Sequence, residues 1–241
     1  MRGQASDILV PHPKGGDAER AATECLRECL ASLKLPHVPL TDISIPIPVE
    51  NWVELHLDIR VQEFESSRFG PDVLGGAIPS ERLIFVREDI EPKGRLRFTY
   101  AHELGHVVMH NECEEPIFRD STIEDWREAT REREADRFAA AFLLPLPRVM
   151  RELYVICTDH KLASDVVARL TVDSPETEEL WRRVFLPELA SRFDVSFQAT
   201  LFRFSEFLIR GERPFMPPAL RGRLLSAAKP SRRTTGRTLF D

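Results

Sequence analysis

Residues 97–110 read RFTYAHELGHVVMH and are the most informative part of this chain. From Gly94 onward apolar residues recur at helical spacing, so the stretch is predicted to form a helix with one buried face. His102, Glu103 and His106 lie on it in the pattern His-Glu-x-x-His. Chance would produce this pattern in only about three of a hundred chains of this composition. The stretch therefore predicts a metal-binding helix.

The spacing of the two histidines suits a single metal ion. His102 and His106 are four residues apart, which places both imidazoles on one helix face about 6 Å apart along the axis. Both rings can then bind one ion, and zinc is the usual ion for this pattern. Glu103 is predicted to be the general base of a peptidase, because it can accept a proton from water that the ion activates. Mn²⁺ and Fe²⁺ remain alternatives, since two imidazoles and a carboxylate suit several divalent ions.

A catalytic zinc site normally has three protein ligands, so a third must lie elsewhere in the chain. The metzincin arrangement is excluded, because it needs a glycine and a histidine where this chain has Met109 and Glu112. The better candidate is Glu132, in the run REREADRF at residues 131–138. Glu132 and Asp136 share a helix face at i and i+4. We predict that Glu132 binds the ion and that Asp136 accepts the N–H of a ligand histidine.

Two further residues are weaker candidates for a place in the metal site. Glu134 faces another side of the same helix and is interpreted as a solvated charge. His110 lies two turns from His102 and is predicted to line the site or to cap the helix end. It is not expected to be a direct ligand, because three histidines on one straight helix cannot all reach one ion. A hydrogen-bonded pair of structural histidines and a plain charged helix face remain the alternatives to a metal site.

Two segments together resemble the ImmA/IrrE family of metallopeptidases. They are residues 97–110 and the run EREADRFAAAFLLP at residues 132–145, with a predicted strand at residues 82–86 ahead of the first. The likeness covers roughly residues 46–151. A fainter likeness at residues 189–196 is similar to the segment of that family in which a small helical module follows the protease core.

The resemblance implies a gluzincin-like fold in which His102, His106 and Glu132 hold zinc and Glu103 is the base. It also implies the substrate, a helix-turn-helix transcriptional repressor whose cleavage induces stress-response or mobile-element genes. The repressor is implied by the resemblance alone. Tyr100 departs from the aliphatic residue expected before the motif and is a candidate for lining the site.

The whole chain is predicted to be an α+β protein. A zincin-like core with a small β-sheet and an active-site helix is followed by a mostly helical C-terminal region. The first sixteen residues are expected to be a loose arm, Asp17 an N-cap, and Pro187 a helix break. The predicted segments are an N-terminal arm and helix (1–45), the metallopeptidase domain (46–151), the helical region (152–210) and a flexible basic tail (211–241).

The composition of the chain limits the classes of partner and the cellular compartment that we expect. The formal net charge of −6 at pH 7 gives no reason to expect attraction to nucleic acid or to anionic membranes, apart from the basic tail. No stretch approaches the roughly 20 consecutive apolar residues of a membrane helix. The four cysteines are few for this length and fit the reducing cytoplasm. Cys25 and Cys29, one turn apart, are interpreted as small buried hydrophobes rather than as a metal site.

Two other functions remain open at this stage. The chain could be a non-hydrolytic zincin-like module that binds a regulator protein, but the presence of Glu103 favours catalysis. It could also act on DNA through the basic tail, although such charges usually serve solubility. For a peptidase, the sheet beside the active-site helix is expected to offer an edge to which an extended substrate can add as a strand.

Overall fold

The structure is a computed structural model that describes residues 9–11, 15–65, 68, 73–118, 126–163 and 165–228. It is an α+β fold, as predicted. The elements in chain order are β1 (Leu9–Pro11), α1 (Gly16–Ser32), α2 (Val49–Leu55), β2 (Arg60–Phe64), β3 (Gly75–Ile78), β4 (Leu83–Arg87), α3 (Lys93–Met109), β5 (Ile117–Phe118), α4 (Trp126–Leu143), α5 (Leu146–Asp159), α6 (Val166–Arg169), α7 (Pro175–Leu180), α8 (Leu186–Phe193), α9 (Phe197–Ser205), β6 (Phe207–Ile209), β7 (Arg213–Pro214) and α10 (Pro218–Ala228).

A four-stranded mixed sheet lies beside α3. Its strand order is β2-β4-β3-β5, with β2 parallel to β4 and β3 antiparallel to both of its neighbours. The central strand β4 buries Ile84, Phe85 and Val86 in succession, as expected for a strand covered on both faces. The strand predicted at residues 82–86 is thereby confirmed as β4.

Helices α3 and α4 pack closely against each other at Gly105. A Cβ atom on Gly105 would lie 3.1 Å from the Cα of Ala135 and 3.1 Å from a ring carbon of Phe138. Distances this short are rare for real Cβ contacts, so a larger residue at this position would push the two helices apart by a few tenths of an ångström. Their close approach lets side chains near the start of α4 reach the histidines of α3.

The N-terminal segment departs from the prediction. Leu9–Pro11 forms a strand that pairs antiparallel with β6, with Leu9 opposite Ile209, so the interpretation of a loose arm is wrong for these residues. Helix α1 starts at Gly16 after Gly15, and Asp17 therefore lies in the first turn rather than at the N-cap. Residues 1–8 and 12–14 lie outside the described part of the chain.

Helix α1 is fixed to the rest of the fold by its apolar face and by one ion pair. Both Cys25 and Cys29 are buried in that face, as the hydrophobic interpretation predicts. Glu19 accepts two hydrogen bonds, of 2.6 and 2.8 Å, from the guanidinium of the buried Arg203 in α9. The same guanidinium donates to the backbone oxygen of Leu144 at 2.9 Å. The side chain of Arg203 therefore links α9 to α1 and to the end of α4.

The C-terminal helices do not break where the sequence suggests. Pro187 lies in the first turn of α8, and the irregularity is the π-helical turn Trp181–Phe185 just before it. Proline lacks the N–H that would continue the regular helical bonding, and a local widening of the preceding turn fits that loss. Trp181 is the centre of an aromatic cluster, with the ring of Phe204 at 4.7 Å and that of Phe215 at 6.1 Å.

The segment predicted to be a flexible basic tail is folded up to residue 228. Strand β7 pairs with β6, and α10 follows it. Phe215, Met216, Leu220 and Leu224 are buried, so the prediction of a flexible tail is wrong for residues 211–228. Residues 229–241 lie outside the described part, and the division of the chain into four segments stays a prediction. None of the described helices is long and apolar enough to cross a membrane.

Candidate metal centre

Three side chains from two helices converge on one point. Helix α3 contributes His102 and His106, and α4 contributes Glu132. The Nε2 atoms of the two histidines lie 3.1 Å apart. Glu132 places one carboxylate oxygen 3.2 Å from Nε2 of His102 and the other 3.1 Å from Nε2 of His106. The donor atoms therefore form a compact triangle, with both histidines almost completely buried.

The dimensions and chemistry of this triangle fit a divalent metal ion. Ligand atoms bound tetrahedrally at about 2.0–2.1 Å lie about 3.3 Å from one another, close to the separations seen here. Two imidazoles and one carboxylate are a usual protein ligand set for catalytic zinc. Within the described part of the chain, this is the group of side chains whose spacing could hold an ion.

A carboxylate lies directly behind the first histidine. The Nδ1 atom of His102 is 3.0 Å from Oδ1 of Asp136, one turn beyond Glu132 on α4. Asp136 is partly exposed and also lines a groove of 370 Å³, together with Phe98 of α3 and Phe202 of α9. The structure therefore places Asp136 where the sequence analysis expects it, behind the ring and away from the point of convergence.

The second histidine is backed by another histidine. Nδ1 of His106 lies 3.1 Å from Nδ1 of His110, and Nε2 of His110 lies 3.0 Å from a carboxylate oxygen of Glu134. His110 is thus outside the triangle, next to one of its members. The interpretation of Glu134 as a solvated charge is incomplete, because its carboxylate contacts His110 while remaining partly exposed.

Burial and hydrogen bonding shift the pKa values of the three side chains of the triangle in different directions. Burial favours the neutral ring of His102, but hydrogen bonds to Asp136 and Glu132 outweigh it and raise the pKa to about 9. At His106 burial prevails and lowers the pKa to about 4. Burial also raises the pKa of Glu132, but its contacts with both histidines outweigh this and hold it below its ordinary value. In the metal-free cluster these contacts favour the charged, doubly protonated ring of His102, and a metal ion would have to displace the proton on Nε2.

Glu103 lies next to this cluster and is held against the sheet. It is buried, with only 1% of its surface exposed. A Cβ atom added to Gly75, the first residue of β3, would lie 2.6 Å from a carboxylate oxygen of Glu103 and 2.9 Å from the methyl carbon of Thr99. Glycine at this position therefore allows the carboxylate to lie directly against the strand.

The structure does not bring Tyr100 to the cluster. Its ring belongs to the hydrophobic core. Burial raises the pKa of its hydroxyl to about 12, and the nearby charges that add to this are Glu63, Glu50 and Glu54 of β2 and α2. Tyr100 is two residues before His102, and that spacing points the two side chains to different sides of a helix.

The start of α3 carries the contacts that dock the C-terminal helices. Buried Arg97 binds Glu50 at 3.1 Å and donates to both the carboxylate and, at 3.1 Å, the backbone oxygen of Asp194. A Cβ atom on Gly94 would lie 3.2 Å from the backbone of Asp194 and of Val195. The turn between α8 and α9 therefore lies directly against the helix that bears the two histidines.

Sequence reasoning missed two features of the site. The first is the contact of Glu134 with His110, which could have been suspected because His110 continues the stripe of His102 and His106 and needs a hydrogen-bond partner. The second is the glycine at position 75. It lies in another element, and nothing in the local pattern indicates that a carboxylate packs against it.

Comparison with known proteins agrees with this geometry. A family model described as the IrrE N-terminal-like domain, of a peptidase family, matches residues 55–205. The match spans more than half of the 241-residue chain and includes α3, α4 and all side chains of the triangle. A comparison with curated proteins finds no match.

Proposed function

The chain belongs to the peptidase family described as the IrrE N-terminal-like domain, and from this premise we propose that it is a zinc-dependent endopeptidase. The family implies a metallopeptidase-type function. The observation that carries the proposal for this chain is the buried convergence of His102, His106 and Glu132, with the buried carboxylate of Glu103 close enough to act electrostatically on His102. Because a scaffold that only bound zinc would not need that carboxylate, its place in the site supports hydrolysis.

Each side chain then has a distinct task. His102, His106 and Glu132 hold the ion, and Asp136 keeps the ring of His102 in the orientation that presents Nε2. When bound, the ion supplies Lewis acidity that polarises the scissile carbonyl and activates water. Glu103 takes a proton at its carboxylate and returns it to the nitrogen of the leaving amine. Its burial excludes bulk water from that exchange and strengthens its electrostatic effect.

Gly75 offers a test of how Glu103 is positioned. Replacing it by alanine is expected to push the Glu103 carboxylate out of place, because the new methyl group would overlap one of its oxygens. Misplacing a catalytic group by about 1 Å can lower the rate on the order of 10²-fold. We expect a loss of this order in cleavage, with metal content unchanged. The rate and the bound metal are measured on the same preparation.

The matched control is Gly222→Ala, since, apart from its neighbours in the same helix, no atom of the described residues lies within 4 Å of the position that its Cβ would take. That variant should cleave like the wild type. Full activity of Gly75→Ala would show that the contact with the strand does not position Glu103, and a loss of metal would show that Gly75 acts on the cluster instead.

The substrate is proposed to be a protein segment in extended conformation. Strand β3 contacts Glu103, and β5 is the outer strand on that side of the sheet. Adding an extended peptide to a sheet edge is a common mode of recognition. The cut should therefore fall in an exposed linker or loosened helix of the target rather than inside a packed element.

The target is proposed to be a helix-turn-helix transcriptional repressor whose cleavage induces stress-response or mobile-element genes. Family resemblance supports this choice, and the net charge of −6 favours encounter with a basic DNA-binding protein. Such an encounter should slow as salt rises. We place the reaction in the cytoplasm, where thiols such as those of Cys25, Cys29 and Cys157 stay reduced.

The proposal is tested by incubating the metal-loaded protein with candidate repressors, free and bound to DNA, with and without a chelator. The expected result is a single discrete cut that the chelator abolishes and that Glu103→Gln does not make. Tight binding of one repressor with no cleavage under metal-replete conditions would instead favour the alternative, a zincin-like module that binds a regulator without hydrolysing it.

A further inference from the structure

We infer that His110 and Glu134 are positioning residues of the metal centre, which together hold the ring of His106 and fix its tautomer. The inference rests on the metal site of the proposed function, but not on peptide hydrolysis. Asp136 does the same for His102 by direct contact. Among the described contacts, the Nδ1 atom of His106 faces no carboxylate directly and has an imidazole followed by a carboxylate instead.

The direction of every hydrogen bond follows once His106 binds an ion. Its Nε2 atom, which faces the point of convergence, gives its lone pair to the ion, so Nδ1 carries the hydrogen. Among the described contacts, the acceptor of that hydrogen is a bare Nδ1 on His110, 3.1 Å away. The proton of neutral His110 is then on Nε2, which donates to Glu134 at 3.0 Å. In this series of hydrogen bonds from His106 to Glu134, every donor therefore faces an acceptor.

The surroundings of His110 show that its ring is held from two sides. Its backbone N–H donates to the backbone oxygen of His106 at 2.9 Å at the end of α3. Its side chain is only 9% exposed, and its outer nitrogen is bound by Glu134 from α4. The ring therefore bridges the two helices that supply the metal ligands.

The chemical consequence is a more basic and better oriented ligand. A carboxylate at the end of a hydrogen-bonded chain raises the basicity of the bound imidazole, and loss of such a partner typically costs about 10–100-fold in metal affinity. We expect His110→Phe, which keeps a ring but removes both hydrogen bonds, to weaken binding within this range. Glu134→Ala removes only the outer bond and should have a smaller effect in the same direction.

His110→Asn separates the two bonds. Its amide oxygen can accept from Nδ1 of His106, while its shorter side chain cannot reach Glu134. Its affinity should therefore lie between those of the wild type and His110→Phe. In the Glu134→Ala background, His110→Asn should cost little more, because the bond that it loses is already absent.

The affinity of the metal-free protein for Zn²⁺ and Co²⁺ is measured by competition with a chelator, and the visible spectrum of the Co²⁺ form reports the ligand geometry. The matched control is His160→Phe, which removes another contact between a histidine and a glutamate, His160 with Glu188 at 3.2 Å, far along the chain from the site. Its affinity and spectrum should equal those of the wild type. Thermal unfolding of each metal-free variant shows whether the fold is retained.

Wild-type affinity and an unchanged Co²⁺ spectrum in His110→Phe would overturn the inference, as would a loss of thermal stability with no change in affinity. Because Glu134 is partly exposed, Glu134→Ala keeps the test decisive if His110→Phe does not fold. A protein that binds metal with the expected order of affinities but cuts no peptide would refute the proposed function and leave this inference standing.

Discussion

Replacing Glu103 by glutamine is expected to lower peptide cleavage by about 10²–10⁴-fold while leaving the fold and the metal in place. Glutamine has nearly the same shape, so the buried position against Gly75 can still be filled. It cannot accept the proton that the reaction requires the carboxylate to take. The loss should therefore appear in the rate of the chemical step and not in metal content.

The experiment compares cleavage rate, bound metal and circular dichroism of the variant and the wild type. Glu112→Gln is the matched control, because Glu112 is exposed and lies just beyond the end of α3. It makes the same chemical change outside the site and should retain the wild-type rate. Wild-type hydrolysis by Glu103→Gln would refute the proposed role of this residue as the base.

The second large effect is expected from Glu132→Ala, which should bind little or no metal. Removing this carboxylate leaves two imidazoles, whose Nε2 atoms lie 3.1 Å apart, with no anionic ligand to offset the charge of the ion. The loss of affinity should exceed the roughly 10–100-fold typical of a residue behind a ligand, such as Asp136. Cleavage should fall with metal occupancy.

Metal content after dialysis and affinity by chelator competition are the measurements. Arg133→Ala, an exposed neighbour on the same helix, should behave as the wild type. If Glu132→Ala binds metal normally while Asp136→Ala does not, the assignment of the third ligand is wrong.

Much of the candidate site could be predicted because several of its residues lie a few positions apart on the same helix. The spacing of His102 and His106 within one helix fixes their relative position, whatever surrounds the helix. The same holds for Glu132 and Asp136 on α4. Each pair could therefore be predicted from the sequence. So could the strand at residues 82–86, because its apolar run at residues 83–86 is continuous.

The predictions that failed depend on distant partners. Leu9–Pro11 has no periodicity, but it becomes a strand because β6, about 200 residues later, offers an antiparallel edge. The basic segment after residue 210 contains four side chains that are buried against the helical region. Its prolines and arginines led to the prediction of a flexible tail instead. Pro187 is tolerated inside a helix because it lies in the first turn of α8.

The sequence by itself determined the two candidate metal-binding imidazoles, the neighbouring candidate base and the acidic helix that supplies the third candidate ligand, since short-range helical geometry suffices for each. Only the tertiary structure decided how these two helices meet. Gly105 removes the side chain that would separate α3 from α4, and the resulting close approach brings Glu132 to both histidines and Glu134 to His110. Distances between separate elements depend on packing over the whole core, which local patterns do not encode.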